Sequence, residues 1–310
     1  MKISFKSTVH VIMLAIVFAV CFVLSKNSFG AEPAGITTGA PTAVYYQMAT
    51  SIQKTCSAQV ALTVHESTGS VSNVERVLTD KRYQYGITQL DALAYKGLSD
   101  QRAKDKIKMI MPLHDNDIHL IATPQSGIRN MADLQGKRVI VGPDGSGNWV
   151  TSQLIKAKTG LTWEDIPAGP DAGITQLLLG QADAMIFTGG KPVPMLQKIG
   201  AGGNGKIRLI PMSHPALDGF YTNVTIPEGM YAWSKTPVHT YGVKNVLVTY
   251  DYRAQFQKEI ADLTSCIVNN LTYFQETGHE KWREVDPASY KQVKWPVHPV
   301  ALRYLNRPGR

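Results

Sequence analysis

The residues with the clearest chemical potential are small and hydroxylated, and they recur in one context. Five loops rich in Gly, Ser and Thr each stand between a short branched segment and a helical pattern. They are Ile36 to Thr42, Glu66 to Ser70, Thr88 to Asp91, Gly142 to Asn148 and Thr188 to Gly190. The first N–H groups of a helix have no internal partner, and aligned peptide dipoles leave partial positive charge there, so such an end attracts an anion. Glycine lets backbone approach a ligand closely, while hydroxyls add adjustable donors and acceptors. Any one junction taken alone is better explained as an ordinary helix cap. Five together weaken that explanation, and Gly145-Ser146-Gly147-Asn148, with two glycines flanking a hydroxyl, is the strongest of them.

The same loops lack what catalysis would need. None carries the lysine of the G-x-x-x-x-G-K-[ST] phosphate loop, and none fits G-x-S-x-G or G-x-G-x-x-G. His114-Asp115-Asn116-Asp117-Ile118-His119 gathers possible metal ligands. Its spacing matches no established zinc pattern, and it reads as a polar turn between the apolar stretches Ile107 to Leu113 and Ile118 to Ala122. His65 and Glu66 would point to opposite faces of a strand. The reading is a binder, not an enzyme, with no cofactor and no metal. Tyr45, Tyr46, Tyr95 and Trp149 flank the loops. Aromatic residues there are more often core, but Tyr45 and Trp149 begin helices that face the expected cleft, where they would line a pocket.

The elements that must hold these loops alternate. Helices are expected from about 43 to 54, 71 to 80, 90 to 97, 149 to 158 and 192 to 199, each after a short strand, which implies an α/β fold with substantially parallel pairing. Further on, Val243 to Thr249 reads as a strand and Ala254 to Tyr273 as one long amphipathic helix carrying Cys266. The tail, with Pro287, Pro296 and Pro299, reads as a surface wrap.

With 310 residues, 44% hydrophobic and 18% charged, the chain is neither a disordered tail nor a multispan membrane protein. Its start is basic (Lys2, Lys6), then apolar from Val9 to Leu24, then polar with small residues at Ser28, Gly30 and Ala31. That is the pattern of a secretory signal over residues 1–30, and the apolar run falls short of the roughly 20 residues that span a bilayer. Residues 1–30 hold three lysines and no acid, so their removal lowers the formal charge of +8 by three. The remainder suits small anions and gives no case for nucleic acid. Export also leaves two cysteines, Cys56 and Cys266, which either form one disulfide or lie as two buried thiols.

Taken in order, several motifs resemble the TAXI-type solute receptors of tripartite ATP-independent periplasmic (TRAP) transporters. They are Thr38 to Tyr46, Thr68 to Asn73, Gly86 to Asp91, Val141 to Asn148, Ala182 to Gly190, Val224 to Tyr231 and Pro296 to Pro299. The resemblance covers essentially the whole mature chain. It implies a two-lobed periplasmic-binding-protein-like fold with a hinge and an interlobe ligand cleft. Lobe I would hold residues 31–118 plus 245–310, and lobe II residues 119–244. The protein would be a periplasmic monomer that captures a small carboxylic acid or acidic amino acid, such as 2-oxoglutarate or glutamate. It would deliver that cargo to the membrane subunits of a TRAP transporter.

In that frame Thr38, Ala40, Thr68, Gly69 and Ser70 hold a carboxylate and Tyr45 walls the pocket. Gln89 and Asp91 orient a polar group, Ser146, Gly147 and Asn148 close from the other lobe, and Gly189 and Gly190 allow close approach. Three departures from the family pattern bear on specificity: the stiffer first loop, Leu90 in place of a serine, and Asn148 in place of a threonine. A periplasmic sensor domain signalling to a membrane kinase would use the same fold and is the alternative reading.

Overall fold

The computed structural model describes residues 33–252 and 256–306; the expected export segment and its cleavage position lie outside the described residues. The first three loops form as strand-to-helix junctions. β1 (Ala34–Thr37) leads to α1 (Val44–Thr55), β2 (Leu62–His65) to α2 (Ser70–Thr79), and β3 (Tyr83–Gln89) runs straight into α3 (Leu90–Ser99). A short α4 (Gln101–Lys106) follows. Gly69 precedes α2 at φ +121°, a backbone conformation that favours glycine. The apolar side chains of α2 explain its placement, since Val74, Val77 and Leu78 share a buried face at helical spacing.

The next element corrects the expectation of a polar turn. Residues 107–122 are one continuous strand, β4 (Ile107–Ala122), and the polar run from His114 to His119 lies in its second half. The strand continues because its polar side chains find partners on other elements. Asp115 Oδ2 takes Lys244 Nζ at 2.6 Å from the residue opposite it in register. Asp117 takes Lys191 Nζ at 2.5 Å, and the His114 carbonyl accepts Asn245 Nδ2 at 3.1 Å.

Beyond it come β5 (Arg138–Ile140), α5 (Gly147–Thr159), β6 (Glu164–Ile166), α6 (Pro170–Leu178) and β7 (Ala184–Gly189). Ser146 caps α5 by accepting from Trp149 N at 3.3 Å, and Gly160 ends it in the left-handed region at φ 73°. The fifth junction yields only one turn of helix, α7 (Pro194–Lys198), shorter than the expected 192 to 199. Then follow β8 (Arg208–Leu209), β9 (Thr222–Ile226), β10 (Val238–Tyr250), α8 (Gln257–Asn269), α9 (Leu271–Thr277) and α10 (Pro299–Leu305). The expected long helix is thus two, and the break falls at Asn270, whose N–H and Nδ2 both return to the Cys266 carbonyl (3.0 and 2.9 Å).

One sheet runs β2-β1-β3-β10-β4-β7-β5-β6, with β8 beside β4 and β9 beside β10. Pairing is parallel at both flanks, among β1, β2 and β3 and among β5, β6 and β7. At the centre it is antiparallel, because β10 returns from far along the chain to lie between β3 and β4. The substantially parallel sheet read from the alternation is therefore mixed. Its core residues cluster on either side of the polar stretch of β4. Ile36, Ile52, Ile87, Leu113 and Leu247 belong to one cluster, and Ile118, Val139, Ile155, Ile186 and Val243 to another.

Cys56 and Cys266 form a disulfide, with Cα atoms 5.9 Å apart, joining the end of α1 to α8. The tail is not a surface wrap. His298 N donates to the Met109 carbonyl at 2.8 Å, and Val300, Ala301 and Leu305 are buried in the first core cluster. Among the described residues no helix is long and apolar enough to cross a membrane.

Candidate functional site

The starts of α2 and α5 converge on one side chain. A Cβ added to Gly147 would lie 1.8 Å from Gln89 Oε1 and 3.6 Å from Ser70 Oγ, so a side chain there would have to push the Gln89 amide out of this contact. Ser70 Oγ stands 3.4 Å from Gln89 Oε1 and 3.4 Å from the Tyr45 hydroxyl, and it accepts Gln89 N at 3.3 Å. Tyr45 in turn donates to Asn245 Oδ1 on β10, which also accepts Asn116 Nδ2 at 3.3 Å. Burial raises the Tyr45 pKa well above that of an ordinary phenol, so the hydroxyl stays a neutral donor. Five residues from α1, α2, β3, β4 and β10 thereby form one polar chain that ends against the start of α5.

The fourth loop faces this chain and is itself tightly held. Asn148 Oδ1 accepts Thr188 N at 2.7 Å, binding the start of α5 to β7. Two buried groups beside these contacts have no hydrogen-bond partner among the described residues: Gln89 Nε2 and Thr188 Oγ1. Buried polar groups are normally paired. Orphaned donors at the meeting of two helix starts are what an acidic ligand would satisfy.

Other expected contacts take different places. Thr38 is buried, but its hydroxyl donates to the His65 carbonyl at 2.8 Å, which ties the first two loops together. Asn73 does the same from α2, through the Thr38 carbonyl and the Ile87 carbonyl, the latter at 2.7 Å. Ala40 and Thr68 are exposed. Gly189 packs on the Phe187 ring, and a Cβ on Gly190 would meet Lys281 Cε at 2.3 Å. The fifth loop is therefore clasped by a lysine from far along the chain, whose Nζ donates to the Lys191 carbonyl at 2.9 Å and pairs with Glu284.

Asp91 and Trp149 make contacts that the sequence did not anticipate, although Asp91 Oδ1 is buried without a partner among the described residues. Asp91 Oδ2 accepts Thr151 Oγ1 at 2.7 Å and the Tyr221 hydroxyl at 3.2 Å, so this oxygen is already engaged. Burial pushes the carboxyl up to about 6, against the pull of those two hydrogen bonds. Trp149 lies edge-on to Tyr95 with ring centroids 5.5 Å apart, and both pack with Ala92, Val150 and Leu154. This apolar contact between α3 and α5 uses the tryptophan that the sequence assigned to a pocket wall. A cavity of about 360 Å³ opens beside Asp91, lined also by Tyr221, Lys244 and Trp295, and it shares no other residue with the expected site.

Charge at the middle of the sheet is paired or neutral. Asp117 is buried and holds Lys191 through both its side chain and its backbone N–H, the latter at 3.3 Å. His119 bridges the Asp117 carbonyl (2.9 Å) and the Tyr231 hydroxyl (2.8 Å), and burial lowers it to about 4. Among the described residues no three His, Cys, Asp or Glu are grouped as a metal site would need. Gly200-Ala201-Gly202-Gly203-Asn204-Gly205 does show dinucleotide-type spacing outside the five loops. It follows α7 as a 3-10 turn over Gly200–Gly203, not a strand-to-helix junction, and so lacks the context that gives the motif meaning.

Asn116, Thr151, Lys191, Tyr221, Asn245 and Lys281 were not anticipated. The one sequence signal for any of them was the polar run His114 to His119, which marked the position correctly and the conformation wrongly.

The model of the NMT1-like family matches residues 36–309. A solved structure described as a periplasmic transporter gives a TM-score of 0.51 at 12% identity, covering 79% of this chain and 84% of that one. A TctC solute binding protein from Polaromonas, without ligand, gives 0.50 at 12% identity, covering 86% and 91%. MatC from Rhodopseudomonas palustris, with bound malate, gives 0.50 at 13% identity, covering 82% and 87%. At such identities the likeness is one of fold, and the fold shared is that of periplasmic binding proteins.

Proposed function

The chain belongs to the NMT1-like family, and from that premise we propose that it is a periplasmic solute receptor, exported by residues 1–30, that closes around a small organic acid. The carrying observation is the convergence of Ser70, Gln89 and Gly147, where two helix starts meet beside unpartnered Gln89 Nε2 and Thr188 Oγ1. Lobe I comprises residues 31–118 plus 245–310 and lobe II residues 119–244, with β4 and β10 as the two hinge crossings. The separate core clusters on either side of those crossings support this division.

Gly69, Ser70, Tyr45 and Gln89 hold the acid from lobe I. Ser146, Gly147 and Asn148 complete the site from lobe II. Opening and closing is a population shift biased by a ligand that touches both sides. Neutral donors and helix ends dominate, which suits a carboxylic acid or an acidic amino acid, and MatC, of similar fold, holds malate. The resemblance of the ordered motifs to those of TAXI-type receptors supports the membrane subunits of a TRAP transporter as the partner.

The test is the affinity of Ser146→Ala combined with Asn148→Ala for the acid that stabilises the native protein. The proposal expects about a tenfold loss or more. Affinity within twofold would remove the fourth loop from the site.

A further inference from the structure

Lys281 carries its charge into the interior. Its side chain is only 3% exposed, and its backbone lies in the 3-10 turn Glu280–Glu284, which joins the first core cluster through the wholly buried Trp282. The Trp282 ring stacks on Phe274 with centroids 4.4 Å apart, and Lys281 N donates to His279 Nδ1 at 3.1 Å. The root of the side chain is therefore fixed on residues of lobe I. Its tip reaches elsewhere. The ammonium passes Gly190 and donates to the Lys191 carbonyl at 2.9 Å, in the loop that follows β7. That loop is anchored on residues of lobe II: Thr188 N donates to Asn148 at the start of α5, and Val193 lies in an apolar cluster with Ile174, Met185 and Leu196. A Cβ at Gly190 would stand 2.3 Å from Lys281 Cε and 3.0 Å from Nζ, so a side chain there would have to push the ammonium off this path. Gly190 is not among the glycines at positive φ, so its backbone does not call for glycine, and the space it leaves is taken by the lysine.

A buried ammonium is costly unless it is paired. Glu284, exposed and three residues further on, pairs Lys281 from its own turn. That pair survives any separation of the lobes, whereas the bond to the Lys191 carbonyl does not. Separation would return the ammonium to water with Glu284 still beside it, so lobe I does not need the carbonyl in order to fold. The carbonyl itself is held in position, because Lys191 N and Nζ both donate to Asp117, at 3.3 and 2.5 Å. The crossing contact is thus complete between protein groups alone.

We infer that Lys281 is a latch of the closed receptor: its ammonium crosses to the Lys191 carbonyl over Gly190, favours closure before cargo arrives and slows cargo release. It is a positioning residue that shifts the balance between open and closed forms without a ligand. The inference rests on the two-lobe reading above and adds to it a ligand-independent contribution to closure.

The experiment is small-angle X-ray scattering of the ligand-stripped mature protein with its disulfide intact. Lys281→Ala and Gly190→Ala should each give a larger radius of gyration than the native protein. The double variant should expand no further than Lys281→Ala alone, because both changes remove one contact. Stopped-flow measurements with malate, 2-oxoglutarate and glutamate complete the test. An acid that binds the native protein should leave either variant about tenfold faster, with no fall in its association rate. If Lys281→Ala does not fold, Gly190→Ala, which keeps the lysine and its pair with Glu284, decides the matter. An unchanged radius or an unchanged dissociation rate in the variants that fold, or expansions that add in the double variant, overturns the latch; binding of one of the acids would then leave the cleft reading standing. Expansion of both single variants with none of the three acids bound would uphold the latch and overturn the acid as cargo.

Discussion

Gln89 Oε1 occupies the place that a side chain on Gly147 would need, 1.8 Å from the Cβ position. The contact joins the end of β3 to the start of α5, and it exists only while the two helix starts are together. Gly147→Ala should therefore act on closure more than on folding. Alanine is a better helix former than glycine, so ligand-free stability should change by no more than about 1 kcal/mol. Affinity for the acid should fall about tenfold, as read by calorimetry on both proteins. An alanine variant with native affinity would mean that this approach plays no part in binding.

The Cys56–Cys266 bridge closes a loop of sequence separation 210 and ties α1 to α8 within one core. Constraining so long a loop in the unfolded chain stabilises by about 3–5 kcal/mol. Urea unfolding with and without reductant should show a loss of that order. Thiol titration of the unreduced, unfolded mature protein should find no free thiol.

Two buried histidines set the response to acid. His114 and His119 are lowered to about 3 and about 4. The unfolded chain takes up their protons below pH 6.5 and the native protein does not. Their contribution is thus fully present above pH 6.5 and is lost as pH falls, at about 1.4 kcal/mol per pH unit for each. Asp91, raised to about 6, works in the opposite sense between about pH 6 and 4 and offsets one of them. Urea midpoints at pH 7, 6 and 5 should decline, and His114→Phe should flatten that decline.

Asp91→Asn isolates the third group. An ionised carboxylate at this buried position costs stability at and above pH 6, and the neutral amide keeps an oxygen to accept from Thr151 and Tyr221. The variant should be more stable than the native protein by up to about 3 kcal/mol near pH 8, and the difference should vanish near pH 4. Its acid decline should accordingly be steeper. A difference independent of pH would show that Asp91 is not the titrating group.

The strand, loop and helix units were legible because their signals are local. Branched residues precede each loop, Gly69 and Ser146 mark helix starts, and Gly160 ends α5. What was not legible depended on partners distant in sequence. His114 to His119 read as a turn because six mostly polar residues rarely stay extended alone. They do so here because Lys191, Lys244 and Asn245 meet them from β10 and the loop after β7. Asp91 was seen as a ligand group, and nothing near it in sequence announces Thr151 and Tyr221. Lys281 is likewise 90 residues from the carbonyl it holds. The disulfide was one of two open readings until the fold brought α1 and α8 together.

The most direct test of the account is denaturation of the mature protein, stripped of ligand with its disulfide intact, against a panel of hydroxy, oxo and amino acids. A true cargo at 100 times its dissociation constant should add about 2.7 kcal/mol of stability. The same concentration should add clearly less to Gly147→Ala. A panel in which no acid stabilises the native protein, or in which one stabilises both proteins equally, would contradict a receptor that closes on a small organic acid between these two helix starts.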